Sequence, residues 1–105
     1  MKRFAFKMQL KAGCEREYER RHAAIWPELK QMIRDQGVSN YSIFWDRETN
    51  LLLGYQECSG EGNSQDTEHV DPVTQRWWDM MADIMETNAD HSPVTVPLTE
   101  VFHMD

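Results

Sequence analysis

Apolar and polar residues alternate along residues 3–10, at the start of the chain. Every second side chain in this segment is apolar, which is the period of a strand with one buried face. The four apolar positions are Phe4, Phe6, Met8 and Leu10. Gly13 then interrupts the pattern, so we predict that the chain opens with a half-buried strand.

Residues 14–36 have the spacing of an amphipathic helix. At about 100° per residue, their apolar side chains and one histidine fall on a single stripe. The stripe consists of Tyr18, His22, Ile25, Trp26, Leu29, Met32 and Ile33. Pro27 cannot donate a backbone hydrogen bond to the carbonyl group of Ala23, so we expect the helix to kink or to restart there. Gly37 is a natural stop just past the end.

Two further strands, residues 40–46 and 51–57, are predicted as a hairpin around the polar turn 47–50. The second strand opens with three consecutive leucines, which cannot all point to one face of a sheet. They are Leu51, Leu52 and Leu53. We therefore expect both faces of this strand to be buried.

The remainder of the chain predicts a loop, a second helix and a final strand. Residues 58–70 are polar and contain glycine, which indicates a long loop or a loop with a weak helix. Asp71 and Pro72 are a typical N-cap and first-turn pair, and the helix that they begin has one apolar face. This face contains Val73, Trp77, Met81 and Ile84, with Trp78 and Met85 beside it. Residues 88–93 are loop-like, and residues 95–103 suit a strand.

The order of these elements is β-α-β-β-α-β, which predicts an α+β ferredoxin-like plait. In this fold two helices cover one face of a four-stranded antiparallel sheet. A chain of 105 residues fits one domain, residues 1–105. The other face of the sheet needs cover. Two such sheets meeting face to face would supply it, so we expect a homodimer in the form of a dimeric α/β barrel.

Charge and cysteine content limit the binding partners and the cellular compartment that we expect. Lys and Arg total 11 and Asp and Glu total 18, so the formal net charge is −7. This charge repels phosphate backbones and anionic lipid, so we expect a neutral ligand and no nucleic-acid or membrane partner. Cys14 and Cys58 form no CxxC pair, which favours a reducing cytoplasm. The first apolar run is broken by Lys7, and no run approaches about 20 residues, so neither a signal peptide nor a membrane span is predicted.

His22 is the histidine with the most informative position. It lies on the apolar stripe of the first helix, one turn after Tyr18. Its imidazole has an unperturbed pKa of about 6.5 and can give or take a proton near neutrality. The pattern alone favours a different interpretation, a core histidine that is hydrogen-bonded to a backbone carbonyl. The other three histidines are in polar loops or near the C-terminus, without a partner pattern.

Aromatic side chains offer a second candidate chemistry. Trp77 and Trp78 are adjacent and point about 100° apart on a helix, so they cannot bury in the same direction and one can line a cleft. Aromatic faces suit the C–H face of a sugar, and an indole N–H can bind a hydroxyl. Tyr18 and Tyr41 carry phenols suited to the same task. Core packing of the tryptophans, and a half-buried strand position for Tyr41, are the alternatives.

Metal and phosphate sites are not predicted. Glu19 and His22 have an i, i+3 spacing that occurs in di-metal helical bundles, but no second such motif exists. Gly60 and Gly62 precede no helix that could cradle a phosphate. We therefore expect no metal and no phosphate loop.

Several segments together resemble one family, the L-rhamnose mutarotases. The run from Tyr18 to His22, followed by Ile25 to Leu29, is similar to the signature of that family. A Tyr-x-x-x-His segment alone is weak, but its combination with Ile-Trp-Pro-Glu-Leu and Arg-Trp-Trp is specific. The other similar segments are 40–43, 75–78 with Met81, Asn88, Asp90, Ser92-Pro93 and Val101-Phe102. The resemblance covers nearly the whole chain.

The resemblance implies a dimeric, ferredoxin-like, cofactor-free cytoplasmic enzyme that interconverts the α and β anomers of L-rhamnose. It implies that His22 is the proton donor, in place of the core-histidine interpretation. It also implies that Tyr18, Tyr41, Trp77 and Trp78 hold the sugar. The chain departs from the family between residues 58 and 70, where a polar stretch replaces an aromatic residue and a firmer helix start. That departure bears on loop geometry and substrate choice.

Mutarotation opens a hemiacetal ring and recloses it on the other face. An acid protonates the ring oxygen while a base removes the proton of the anomeric hydroxyl. With His22 as the acid, the base is left open between a tyrosine, a water molecule and a carboxylate. The alternative functions are a mutarotase for a related deoxysugar such as L-fucose, a cofactor-free monooxygenase on the same barrel, and a non-catalytic sugar-binding module.

Overall fold

A computed structural model describes all 105 residues. It contains four strands in one antiparallel sheet and three helices, which confirms the predicted α+β plait. The strands lie in the order β2-β3-β1-β4 across the sheet. The elements are β1 (Lys2–Gln9), α1 (Glu15–Ala23), α2 (Pro27–Asp35), β2 (Val38–Trp45), β3 (Leu51–Cys58), α3 (Pro72–Met81) and β4 (Val96–Leu98).

The helices cover one face of the sheet, and the core lies between the two layers. The alternation predicted for β1 is confirmed, because Phe6, Met8 and Leu10 are buried in this core. Leu52 from β3 joins them, together with apolar side chains of the helices. The helical members are Tyr18, Leu29, Trp77, Trp78 and Met81.

The segment predicted as one kinked helix, residues 14–36, forms two separate helices. α1 ends at Ala23, and α2 begins with Pro27 in its first turn. Trp26, the residue before the proline, is extended with φ −62° and ψ 130°, as expected for a position that proline excludes from the helical region. His22 therefore lies in the last turn of α1.

A β-bulge interrupts the pairing of β2 with β3. Ser39 pairs with Glu57 and Ser42 pairs with Tyr55, so two residues of β2 face one residue of β3. One of the two, Asn40, has a φ of +47°. The extra residue shifts the alternation of β2. The Tyr41 side chain thus lies on the helix side of the sheet, with its ring 6.3 Å from that of Phe6.

Within one chain only one face of β3 is buried, whereas both faces were expected to be. Leu52 is 1% exposed but Leu53 is 39% exposed, because the helices cover only one face. Phe44 pairs with Leu53 on the uncovered side and is 64% exposed. We call this side the open face of the sheet; its exposed apolar residues are Phe44, Leu53, Val96 and Leu98.

The last predicted strand, residues 95–103, is too long, since β4 spans only Val96–Leu98. It pairs with Ala5 to Lys7 of β1 at the edge of the sheet. Pro97 has no N–H to extend the ladder. Val101 and Phe102 lie beyond the strand and are exposed. Nothing within this chain buries them.

The predicted second helix is also shorter than its apolar pattern. α3 ends at Met81, whereas Ile84 and Met85 are buried in non-helical chain, and Met85 forms a bridge with Leu10. Asp71 caps α3 as predicted, because its carboxylate accepts a hydrogen bond from the N–H of Val73 at 2.7 Å. No helix in the chain is long and apolar enough to cross a membrane.

Candidate active site

A cavity of about 1280 Å³ lies between the helices and the inner face of the sheet. All five predicted site residues line it, and they come from α1, β2 and α3. They are Tyr18, His22, Tyr41, Trp77 and Trp78. The fold thus brings together side chains that are separated by up to 60 positions in the sequence.

His22 is held by the backbone of its own helix. Its Nδ1 lies 3.0 Å from the carbonyl oxygen of Tyr18, one turn earlier. A carbonyl oxygen can only accept a hydrogen bond, so Nδ1 carries the proton and donates it. Nε2 is therefore the ring nitrogen that remains available for exchanging a proton with a ligand.

The surroundings of His22 favour its neutral form. Burial lowers the pKa of the imidazole below its ordinary value, and the carbonyl of Tyr18 opposes this effect only in part. No carboxylate is hydrogen-bonded to the ring. Near pH 7 the resting side chain is thus an uncharged imidazole with a lone pair on Nε2.

Aromatic rings enclose the imidazole on two sides. The Tyr18 ring stacks on it, with centroids 4.1 Å apart and an interplanar angle of 26°. Trp77 meets it edge-on, at 5.3 Å and 89°. These contacts fix the plane of the His22 ring within the cavity.

Both adjacent tryptophans line the cavity, although both are largely buried. Trp77 is 8% exposed and Trp78 is 5% exposed. Trp26 meets Trp77 edge-on at 5.1 Å, but it does not line the cavity. It supports Trp77 from behind, a role indicated by its place on the same apolar stripe as His22.

The two tyrosine hydroxyls stay protonated at neutral pH. Burial raises the pKa of Tyr18, and the neighbouring Tyr41 raises it further. Burial also raises the pKa of Tyr41, although the side chains of Ser64 and Gln65 act in the opposite direction. Neutral phenols can both donate and accept hydrogen bonds, which suits the binding of sugar hydroxyls.

Ser64 and Gln65 also line the cavity, and the sequence analysis did not single them out. They belong to the loop at residues 58–70. A signal for them exists in β3, where the alternation that buries Leu52 also places Gln56 on the inner face. A buried amide needs hydrogen-bond partners, and this loop provides them.

An ion-pair network ties α1 to the chain just beyond α3. The guanidinium of Arg21 donates to Glu17 Oε2 at 2.7 Å, to the carbonyl oxygen of Met80 at 3.0 Å and to Asp83 Oδ1 at 2.9 Å. Hydrogen bonds from Arg20 and Arg21 lower the pKa of Glu17 to about 2. Because Arg21 precedes His22, this network holds the end of α1 against α3.

The remaining histidines are outside the cavity. Each lies near an aspartate, at distances between 2.7 and 3.5 Å. They are His69 with Asp66, His91 with Asp79, and His103 with Asp105. No group of three or more His, Cys, Asp or Glu side chains has the geometry of a metal site.

Comparison with known proteins points to a single family. The sequence profile described as L-rhamnose mutarotase matches residues 3–104. The L-rhamnose mutarotases of Phocaeicola vulgatus and Bacteroides thetaiotaomicron are 64% and 63% identical to the chain, over the full length of both proteins in each case. The crystal structure of an L-rhamnose mutarotase from Formosa agariphila superimposes with a TM-score of 0.90 at 48% identity, covering all of both chains.

Proposed function

Because the chain belongs to the L-rhamnose mutarotase family and interconverts the α and β anomers of L-rhamnose, we propose that His22 supplies the proton that opens the sugar ring. The enzyme is an isomerase that acts on a carbohydrate. Family membership favours this activity over the monooxygenase and the non-catalytic binding module considered above. The observation that carries the proposal is the single free nitrogen of His22 in an aromatic-walled cavity.

The reaction needs two proton transfers and no cofactor. In the opening step, the ring oxygen gains a proton and its bond to the anomeric carbon breaks. The anomeric hydroxyl loses its proton in the same step and becomes the carbonyl oxygen of the aldehyde. Rotation about the adjacent carbon–carbon bond exposes the other face of the carbonyl. Reclosure reverses both transfers and gives the other anomer.

His22 takes the acid role through Nε2. The protonated ring donates from Nε2 to the ring oxygen, while Nδ1 stays bound to the Tyr18 carbonyl. Burial disfavours the imidazolium, so the imidazolium is a stronger acid once it forms. Positioned proton transfer of this kind typically contributes about 10²–10⁴-fold in rate.

The base is a water molecule or a carboxylate of the cavity lining rather than a tyrosinate. Burial raises the pKa of both Tyr18 and Tyr41, which makes their deprotonated forms costly. Glu15 and Glu19 line the same cavity and supply carboxylates.

The aromatic residues hold the sugar. Trp77 and Trp78 pack against the C–H face of the pyranose, and Tyr18 and Tyr41 bind its hydroxyls. The methyl group of a 6-deoxy sugar gains about 0.8 kcal/mol from burial among apolar side chains. The cavity lining includes Ile25, Met32 and Ile33, which suit such a methyl group.

The proposal includes a homodimer that functions in the cytoplasm. Two copies pack through their open faces, which covers the exposed Phe44 and Leu53 of each. Both cysteines are free thiols, which suits a reducing compartment. The net charge of −7 argues against nucleic-acid or anionic membrane partners.

Replacement of the catalytic imidazole tests the proposal directly. The variant His22→Ala is expected to slow enzymatic exchange between the L-rhamnose anomers by about 10²–10⁴-fold, because the proton donor is lost. Exchange is measured by proton NMR, with far-UV circular dichroism to verify the fold. His69→Ala, at a side chain that is 82% exposed and outside the cavity, is the matched control. Exchange at the wild-type rate in His22→Ala would contradict the proposed role.

A further inference from the structure

A buried glutamine anchors the loop beside the cavity. Gln56 is fully buried on the inner face of β3. Its Oε1 accepts a hydrogen bond from the backbone N–H of Ser64 at 3.0 Å, and its Nε2 donates to Ser64 Oγ at 2.7 Å. A backbone N–H can only donate, so the orientation of the Gln56 amide is unambiguous. This pair of hydrogen bonds fixes the loop at Ser64.

The next residue, Gln65, is held by two hydroxyls. Its Nε2 donates to Ser64 Oγ at 3.1 Å, and its Oε1 accepts from Thr95 Oγ1 at 3.0 Å. These contacts use one of its two N–H groups and one of its two oxygen lone pairs. If the amide nitrogen and oxygen of Gln65 were exchanged, the same number of donors and acceptors would be used. These two hydrogen bonds leave one donor and one acceptor of the Gln65 side chain, which it shares with the nearby Tyr41 hydroxyl.

The remaining donor and acceptor belong to a cavity-lining side chain. Gln65 lines the same cavity as His22 and Tyr41, and it is half-buried. Two neighbouring hydroxyls of a pyranose match an amide, because one hydroxyl donates to its oxygen while the other accepts from its nitrogen. An uncharged amide also suits an uncharged sugar, since no charge has to be desolvated.

We propose that Gln65 binds two adjacent hydroxyls of the pyranose and thereby helps to determine which sugar the enzyme accepts. The inference rests on the proposed function, because it concerns the substrate of the same cavity. Gln56 and Ser64 act as positioning residues that hold Gln65 in place.

Single-deoxy analogues of L-rhamnose can show whether Gln65 binds the sugar or only stabilises the loop. If Gln65 contacts two neighbouring hydroxyls, removal of either hydroxyl weakens the substrate for the wild-type enzyme but not for Gln65→Leu. A purely structural role for Gln65 would reduce activity towards all sugars in parallel and leave the discrimination between them unchanged.

The experiment measures kcat and KM by anomer-exchange NMR on L-rhamnose, on its 2-, 3- and 4-deoxy analogues and on L-fucose. For Gln65→Leu we expect kcat/KM on L-rhamnose to fall about 10- to 100-fold, chiefly through KM, with lost discrimination at two adjacent positions. Gln65→Glu keeps the size and the acceptor but loses the donor. It should lose discrimination at only one position. It is the variant to be measured if Gln65→Leu does not fold.

Gln31→Leu is the matched control, because Gln31 is an exposed amide on α2 that does not line the cavity. Unchanged kcat/KM in Gln65→Leu and Gln65→Glu, or a parallel loss for every sugar, would overturn the inference. A wild-type enzyme that does not accelerate exchange of L-rhamnose would instead contradict the proposed function, so the two failures are distinguishable.

Discussion

His22 combines the two interpretations that its sequence position allows. Its Nδ1 is bonded to a backbone carbonyl, as in a core histidine, while Nε2 remains free for chemistry. The apolar stripe of α1 predicted the burial, and the resemblance to the family predicted the role. The sequence pattern alone could not separate them, because both place the same ring on the same helix face.

The pH dependence of the reaction follows from the burial of this ring. The proposed donor is the imidazolium, and burial lowers its pKa below 6.5. The active form is thus present below this lowered pKa and is lost as the pH rises through it. We expect kcat/KM, which reports on the free enzyme, to fall across that range.

Anomer-exchange rates measured from about pH 4.5 to 8 check this expectation. The spontaneous rate at each pH is subtracted, since acid and base also catalyse mutarotation in solution. A kcat/KM that increases with pH through the same range would assign His22 the role of base and contradict the donor role.

Gln65 shows where prediction from sequence stopped at the residue scale. Its loop has no periodicity, so nothing in the pattern of residues 58–70 indicates which side chain faces the cavity. The position of Gln65 depends on Gln56, which holds the neighbouring Ser64, and on Thr95. These residues are 9 and 30 positions away in the sequence. Contacts of this kind are visible only once the sheet has formed.

At the scale of elements, a glycine in β3 determines how β1 packs beneath the site. Gly54 pairs with Phe6, and a Cβ at Gly54 would lie 2.6 Å from Cε2 of the Phe6 ring. The Phe6 ring occupies the space of the missing side chain and contacts Tyr41. The strand pairing thus supports one wall of the cavity.

The variant Gly54→Ala is expected to destabilise the protein by about 1–3 kcal/mol, because the buried Phe6 ring must move to admit a methyl group. Urea denaturation measures the change in the free energy of unfolding. Gly60→Ala is the control, since no atom lies within 4 Å of the position of its Cβ. Its effect should stay within about 0.5 kcal/mol. Equal stability of the two variants would contradict the packing argument.

Strand and helix positions were predicted well where burial has a simple period. The alternation of β1 and the restart at Pro27 were readable from the sequence. The bulge in β2 was not, because the prediction began at residue 40 and missed Val38. Val38 and Ile43 share the inner face although they are five positions apart, an odd spacing that indicates an extra residue.

At the scale of the whole molecule, the open face leaves a group of apolar side chains exposed to solvent. A chain of this size buries only about 60–70% of the surface that its unfolded form exposes. Phe44 of the edge strand β2 and Leu53 of β3 form a pair on the exposed side, with β4 at the opposite edge of the sheet. Face-to-face packing of two sheets would remove these side chains from water.

The variant Phe44→Lys is expected to convert the proposed homodimer to monomers, because it places two like charges in a buried apolar interface. Light scattering coupled to size-exclusion chromatography measures the molar mass. Gln31→Lys adds the same charge on the exposed surface of α2 and should leave the mass unchanged. A variant that retains the wild-type dimer mass, or a monomeric wild type, would contradict the open-face interface.

The tail after β4 shows a limit of prediction at this scale. Val101 and Phe102 suit a strand by residue type, yet they are 93% and 78% exposed. Leu53 in the leucine run of β3 is likewise 39% exposed within one chain. Apolar patterning indicates that a side chain avoids water, but it does not state whether its own chain or another copy provides the cover.

The break between α1 and α2 has an electrostatic consequence for His22. Because α1 ends at Ala23, the imidazole lies at the carboxyl end of a helix, where unpaired carbonyl groups carry partial negative charge. That end of the helix macrodipole stabilises a cation by about 0.3–1 kcal/mol. An uninterrupted helix from residue 14 to 36 would have left the ring at mid-length, beyond this field. Pro27, which does not line the cavity, thus makes the charged state of the proposed proton donor easier to reach.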